Sequence, residues 1–220
     1  MRIKAITFDL DGVIADLVDA HYIALNEALD LHGLPIISRE DQDSTYNGLP
    51  TRTKLKLLGV KDPELVEKIC QTKQELTAKA IADSLKTDVR LIVICQQLKD
   101  RGYPLALASN SIRQTVDQVV AKVGLTAFFE FTLSNQDVHS PKPHPEIYLK
   151  AAEKLAIKPW EMLVVEDSPH GQRACLEAGA RLCVVRNTKD VTLQRILESI
   201  EQHEAMGYFL STPEQSDGGR

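Results

Sequence analysis

Five short apolar runs along the chain share one habit: each stops abruptly at a polar residue. Ile3 to Phe8 stops at Asp9, Pro104 to Ala108 at Ser109-Asn110, and Met162 to Val165 at Glu166-Asp167. Leu182 to Val185 stops at Arg186-Asn187, and a weaker run, Phe128 to Leu133, stops at Ser134-Asn135. Runs of this length without polar alternation suit strands covered on both faces, as in a parallel sheet. Between them the apolar positions take helical spacing. Residues 88–102 carry Leu91, Ile92, Cys95 and Leu98 before Gly102, and 112–123 carry Ile112, Val116, Val119, Val120 and Val123 before Gly124. Residues 145–156 open on Pro145, while 169–178 follow Ser168 with Pro169 and stop at Gly179, the usual asymmetry of helix start and stop. Strand and helix alternating in this way predict an α/β fold, a doubly wound parallel-sheet core of Rossmann-like type. The polar residues that end the runs would then share one edge of the sheet, where such folds bind ligands.

One stretch breaks the alternation. Between the first strand and the run at 104 lie about 90 residues without a convincing strand. Helical spacing covers 16–33 (Leu17, Ala20, Ala24, Leu25, Ala28, Leu29) and 63–85 (Leu65, Ile69, Leu76, Ala80, Leu85). The expected organisation is an α/β core from residues 1–15 and 86–210, an inserted all-helical domain at 16–85, and a frayed tail at 211–220.

Composition then narrows the class. With 43% hydrophobic and 26% charged residues the chain reads as an ordinary globular protein. A net charge of −5 offers no overall attraction to phosphate backbones, so no nucleic-acid partner is expected. No run reaches the 18 or so apolar residues of a membrane span, and the N-terminal run is too short for a signal peptide. Four cysteines without CxxC spacing read as small buried hydrophobes in a reducing, cytoplasmic setting.

The densest chemical signal is Phe8-Asp9-Leu10-Asp11-Gly12-Val13. Two carboxylates one residue apart at a strand end share one mouth; they would repel unless they host a cation or divide labour as nucleophile and acid. An isolated pair of this kind is equally a solvated acidic turn, or Asp11 a helix cap. Glu166-Asp167-Ser168 brings a second acidic pair to the same edge, with Asp167 as a helix N-cap the bland alternative. Oxygen donors without a His or Cys cluster favour Mg²⁺. Ser109-Asn110-Ser111, ahead of a helix, suits a seat for phosphate oxygens, though it also reads as a plain cap. Lys142, held among prolines in Ser140-Pro-Lys-Pro-His-Pro145, is placed to neutralise charge there.

In this order, Asp9-x-Asp11-Gly12-Val13, Ser109, Lys142 in Lys-Pro-x-Pro and Glu166-Asp167 resemble the haloacid dehalogenase superfamily, in the branch with a helical cap after the first strand. Local sequence is similar to the β-phosphoglucomutase and phosphoglycolate phosphatase group. The resemblance runs from residue 3 to about 200. It implies Asp9 as nucleophile forming an aspartyl phosphate, and Asp11 as general acid and then base. It implies Mg²⁺ held by the Asp9 carboxylate, the Asp11 main-chain carbonyl and Asp167, with Glu166 close by. Ser109, Asn110 and Lys142 would bind the transferring phosphoryl group.

Within the family, Asp11 favours phosphate esters over C–halogen or C–P bonds, and Thr51 stands where phosphonatases carry a cap lysine. His21 falls where the mutases have a cap-hinge histidine, although on its helix it is equally a packed residue. Arg52 lies near their cap arginine; with Lys54 and Lys56 it could attract a second anionic group, or simply face solvent. Ile112 and Leu17 replace a lysine and a threonine of the mutases. Val89-Arg90-Leu91 replaces the usual Pro-Gly before its helix. The expectation is a Mg²⁺-dependent phosphatase for a small phosphorylated metabolite, a sugar phosphate being one candidate, as a monomer or weak homo-oligomer. A phosphosugar mutase or a non-catalytic binding protein on the same scaffold are the alternatives.

Overall fold

A computed structural model describes residues 2–46 and 49–211, with side chains to Ala205. Of the expected tail at 211–220, Ser211 ends the last helix, while 212–220, like Gly48 of the insert's loop, lie outside the described residues. Five parallel strands form one sheet: β1 (Ala5–Phe8), β2 (Leu105–Ala108), β3 (Phe129–Leu133), β4 (Met162–Glu166) and β5 (Arg181–Val184), in the order β3-β2-β1-β4-β5. Each strand falls on one of the apolar runs, and β1 pairs Phe8 with Leu107 on one side and Val165 on the other. β1, β2 and β4 are buried throughout. The edge strands β3 and β5 are only partly covered, so burial on both faces holds for the three inner strands and not for the outer two.

Alternation along the strands sorts the core into two layers. Ile6, Phe8, Leu105, Leu107, Leu163 and Val165 pack with α5 (Val89–Asp100), α6 (Arg113–Val123) and the start of α9 (Leu193–Ser211) through Leu91, Cys95, Leu98, Val116, Val119 and Ile196. On the opposite face the smaller Ala108, with Leu133, Met162 and Val164, meets α7 (Glu146–Lys154) and α8 (Pro169–Glu177) through Ile147, Tyr148, Ala174 and Cys175. The four cysteines are buried free thiols. Where Val89-Arg90 departs from the usual turn, Asp88 caps α5 by accepting from Leu91 N (3.1 Å), and Arg90 donates to Val191 O (2.5 Å).

Between β1 and α5 the described chain is helical, with no strand. α1 (Val18–Leu31) packs along α4 (Pro63–Ser84), with the short α2 (Arg39–Asp41), a π-turn at Gln42–Tyr46, and α3 (Thr51–Leu57) between them. Leu25, Ala28, Leu29, Ile37, Leu55, Ile69 and Cys70 form a separate apolar cluster inside this insert. Among the described residues, no helix is long and apolar enough to cross a membrane.

The strand order has one consequence for chemistry. The chain runs outward from β1 to β2 and β3, then returns to lay β4 against the other side of β1. The switch point between β1 and β4 opens a crevice at their carboxyl ends, and there the acidic residues after both strands meet.

Candidate active site

Asp9 leaves β1 with its N–H still on Val165 O (3.0 Å), and its side chain is buried. The chain then turns tightly: Gly12 N donates to Ala15 O, and Ile14 N and Ala15 N both donate to Leu10 O. Gly12 takes φ +82°, and a Cβ there would fall 2.1 Å from Asp167 Oδ2. Only glycine lets this loop lie against Asp167. Asp11 caps no helix; α1 begins at Val18 with no side-chain cap. Asp11 Oδ2 instead accepts from Ser111 Oγ (2.9 Å), and Oδ1 faces His21 Nε2 at 3.2 Å, off the hydrogen-bond line.

Lys142 reaches the same point from the loop before α7. Its ammonium, buried, donates to Asp9 Oδ1 (2.5 Å), Glu166 Oε2 (2.9 Å) and Ala108 O (2.9 Å), and lies 4.7 Å over the Tyr148 ring. Three donors meet three oxygens, so the charge is fully used. Glu166 is equally engaged. Oε2 also accepts from Tyr148 OH (2.7 Å), while Oε1 accepts from Asp167 N (3.1 Å), Ser168 N (3.0 Å) and Ser168 Oγ (2.9 Å). A Cβ on Gly171 would strike Glu166 at 1.8 Å. Ser168, not Asp167, caps α8 through Gly171 N.

Burial would raise the Glu166 pKa, but Lys142, Tyr148 OH and Ser168 N hold it below the ordinary value. Asp9 is pushed well up, by burial first and by the Glu166 charge second, with Lys142 only partly opposing. Asp167 is raised to about 7 by burial and the same neighbour. Oxygens of Asp9, Glu166 and Asp167 lie within 4.8 Å of one another, and Asp167 Oδ1 is buried with no hydrogen-bond partner among the described residues. Three carboxylates thus face the single ammonium of Lys142. An all-oxygen set with an idle carboxylate atom fits a hard cation such as Mg²⁺.

Ser109, 1% exposed at the end of β2, accepts from Ser111 N (3.0 Å). The cap of α6 is Ile112 with no side-chain bond, so the serine loop is not a plain N-cap. Asn110 joins the serine loop to the lysine loop. Its side chain clamps the Lys142 backbone, accepting from Lys142 N (2.9 Å) and donating to Lys142 O (3.1 Å), so its amide positions the lysine loop.

The insert closes over this edge to leave a cavity of about 550 Å³, lined from below by Asp9, Asp11, Ser109, Lys142 and Asp167. His21 lines it from above and is no ordinary core residue. Lys73 Nζ lies 2.9 Å from His21 Nδ1; a charged amine only donates, so the ring proton sits on Nε2, toward Asp11. Burial and the Lys73 charge lower the His21 pKa. Burial would raise that of Asp11, but His21, Ser111 Oγ and the Lys73 charge bring it down. Arg52 reaches the cavity rim but pairs with Glu67 (2.5 Å) and is largely exposed; Lys54 is the buried cation of α3, and Lys56 is exposed. Lys73 and Tyr148 escape a reading of the sequence. Lys73 looks like any solvated helix lysine, and only its place one turn after buried Cys70 sets it on the inner face.

The model of the family described as haloacid dehalogenase-like hydrolase matches residues 6–185. The Bacillus subtilis protein YhcW is 34% identical over 194 residues, 87% of each chain. The phosphorylated carbohydrates phosphatase of Thermotoga maritima is 26% identical over 178 residues, 80% of this chain and 82% of its own. The crystal structure of β-phosphoglucomutase from Clostridium difficile superposes with a TM-score of 0.78 at 23% identity, over 92% of this chain and 99% of that one.

Proposed function

The chain belongs to the haloacid dehalogenase-like hydrolase family, and we propose that it is a Mg²⁺-dependent phosphatase of a small phosphorylated metabolite. The observation that carries this reading is the buried Lys142–Asp9 pair with Asp11 beside it in one mouth. Lys142 and Glu166 fix the Asp9 carboxylate. Asp9 attacks phosphorus to give an aspartyl phosphate, and the leaving oxygen takes its proton from Asp11. Asp11 then takes a proton from the water that hydrolyses the phosphoaspartate. His21 and Ser111 orient Asp11 for both transfers, and Ser109 contributes to seating the phosphoryl oxygens.

The Asp9 carboxylate, the Asp11 main-chain carbonyl and Asp167 would hold Mg²⁺, with Glu166 orienting this set through its own hydrogen bonds. When bound, the ion supplies the positive charge the carboxylate cluster lacks and stabilises charge on the transferring phosphoryl group. Residues 16–85 act as a cap that closes over the site to exclude water, turning at 14–16 and 84–88 on a core of residues 1–15 and 86–210. We place the enzyme in the cytoplasm, as a monomer or weak homo-oligomer.

The phosphatase of phosphorylated carbohydrates among the relatives supports a sugar phosphate as substrate. Hydrolysis is favoured over phosphosugar isomerisation because apolar Ile112 lines the cavity where the mutases carry a lysine. The test is phosphate release from a panel of sugar phosphates, phosphoglycolate and nucleotides, with Mg²⁺ and with EDTA, including β-glucose 1-phosphate with a glucose 6-phosphate readout. Mg²⁺-dependent release is expected. Isomer without release would replace this reading with a mutase, and silence with no phosphorylation of Asp9 would replace it with a binding protein.

A further inference from the structure

Lys142 has one ammonium group and two buried carboxylates to serve. It lies 2.5 Å from Asp9 Oδ1 and 2.9 Å from Glu166 Oε2, so the two compete for one charge. Glu166 is wholly buried, and in a dry interior its charge on its own would draw the ammonium away from Asp9. Tyr148 alters how the charge is shared. Its hydroxyl donates to the same Glu166 Oε2 at 2.7 Å, a carboxylate oxygen that can only accept. Its ring lies beneath the ammonium, 4.7 Å from Nζ to the ring centre, within reach of a cation–π attraction. Tyr148 sits in the first turn of α7, its N–H on Pro145 O (3.0 Å), so lysine and ring come from one short segment.

We propose that Tyr148 is a positioning residue for Asp9: its hydroxyl occupies Glu166 Oε2, its ring closes the space below the ammonium, and Lys142 is thereby held against the Asp9 carboxylate. This rests on the phosphatase reading only in taking Asp9 as the nucleophile. At 0% exposure Tyr148 touches no substrate and acts through Lys142 and Glu166 alone. Without the hydroxyl, Oε2 is left with the ammonium as its one donor. The ammonium then moves toward Glu166, and Asp9 Oδ1 loses the bond that fixes its direction. The loss falls on the attack, the step that needs the carboxylate aimed at phosphorus.

The test is Tyr148→Phe, which keeps the ring and removes the hydroxyl, read in two ways. In single-turnover experiments with Mg²⁺ on the substrate that releases most phosphate, the rate constant for phosphorylation of Asp9 should fall about tenfold or more. KM should stay within about twofold, the split expected of an interaction that serves the attack and not binding. A merely structural role would lower the folded fraction and leave this rate constant unchanged. In the ligand-free ¹⁵N-labelled protein, the Lys142 ammonium resonance, identified by its contacts to the ring at position 148, should shift in Tyr148→Phe and its protons should exchange faster with water. Phosphorylation at the native rate, a loss confined to KM, or an unmoved ammonium resonance would overturn the proposal. If Tyr148→Phe does not fold, the native sequence grown with fluorotyrosine gives the second measurement: its more acidic phenol donates more strongly, so the Lys142 resonance should shift, and no shift overturns the proposal. Should the native chain take phosphate onto Asp9 from no substrate, the phosphatase reading falls, and the resonance decides separately. A shift in Tyr148→Phe then keeps the hold of Tyr148 on Lys142 and Asp9; no shift overturns that as well.

Discussion

A methyl group on Gly12 would come within 2.1 Å of Asp167 Oδ2, although the two residues are joined only through the contact of β1 with β4. The glycine therefore serves two ends at once: it turns the chain with φ +82°, and it leaves room for a carboxylate from the neighbouring strand.

Gly12→Ala should lower stability by about 1–2 kcal/mol from the left-handed backbone alone. By displacing Asp167 it should also cut Mg²⁺-dependent turnover on the order of 10²-fold. Thermal melts and phosphate-release kinetics check the two effects separately. A variant with native turnover would show that Asp167 need not lie against this loop.

Asp9, Asp11 and Asp167 should separate by their substitutions. Asp9→Asn should reduce phosphate release to background while melting at or above the native temperature, because a carboxylate leaves a crowded acidic cluster. Asp11→Asn should lose about 10²–10⁴-fold in turnover yet bind Mg²⁺ nearly as the native protein does, its proposed contact being a main-chain oxygen. Asp167→Asn should lose both. Mg²⁺ titration by calorimetry beside kinetics reads the difference, and equal losses of Mg²⁺ affinity in the Asp11 and Asp167 variants would refute the assignment.

The buried pair of Lys142 and Glu166 sets up a contrast in stability. Glu166→Ala should cost about 3–5 kcal/mol, since it leaves a buried ammonium with one carboxylate instead of two. Tyr148→Phe removes a single hydrogen bond of 2.7 Å and should cost about 1–2 kcal/mol. Denaturant unfolding checks both. If Tyr148→Phe were neutral, the hydroxyl would contribute nothing to holding Glu166.

Lys54 and Lys73 give a pH dependence with a definite sign. Both titrate near 8 in the folded chain, below the 10.5 of a free lysine. Above pH 8 the unfolded chain binds more protons than the folded one, so stability of the ligand-free protein should rise between pH 8 and 9. His21, Asp11, Gln42 and Cys70 share this space, and the interval lies above the imidazole's range and below that of the Cys70 thiol, which burial raises. Thermal melts of the ligand-free protein across the interval check the sign; stability that stays flat or falls would show that the two lysines do not titrate near 8.

How far the chain could be read before folding depends on whether a signal is local. Asp9 and Glu166 each follow an uninterrupted apolar run, so the strand and the edge they occupy are written within a few residues. Their partners are not. Lys142 reaches Asp9 across 133 positions, and Lys73 reaches His21 across 52. Only its place one turn after Cys70 distinguishes Lys73 from the exposed lysines of the same helix. Glu166 shows the other difficulty: its place beside Asp167 puts it close to a metal, and the five hydrogen bonds that make it a strut for its neighbours are countable only in space. The match of the Asn110 amide to the Lys142 backbone, 32 positions away, is hidden for the same reason. The half-exposed edges of the sheet were also invisible, because an edge strand can be as apolar as a central one.

The apolar cluster of the insert, from Leu25 to Cys70, is separate from the two layers that pack the sheet. Chemistry and recognition are thus carried by units whose interiors answer to different residues. A change in the insert's inner wall can alter which molecule is admitted while Asp9 and its supports keep their places. Selection acting on such a molecule can keep a reaction and vary its diet.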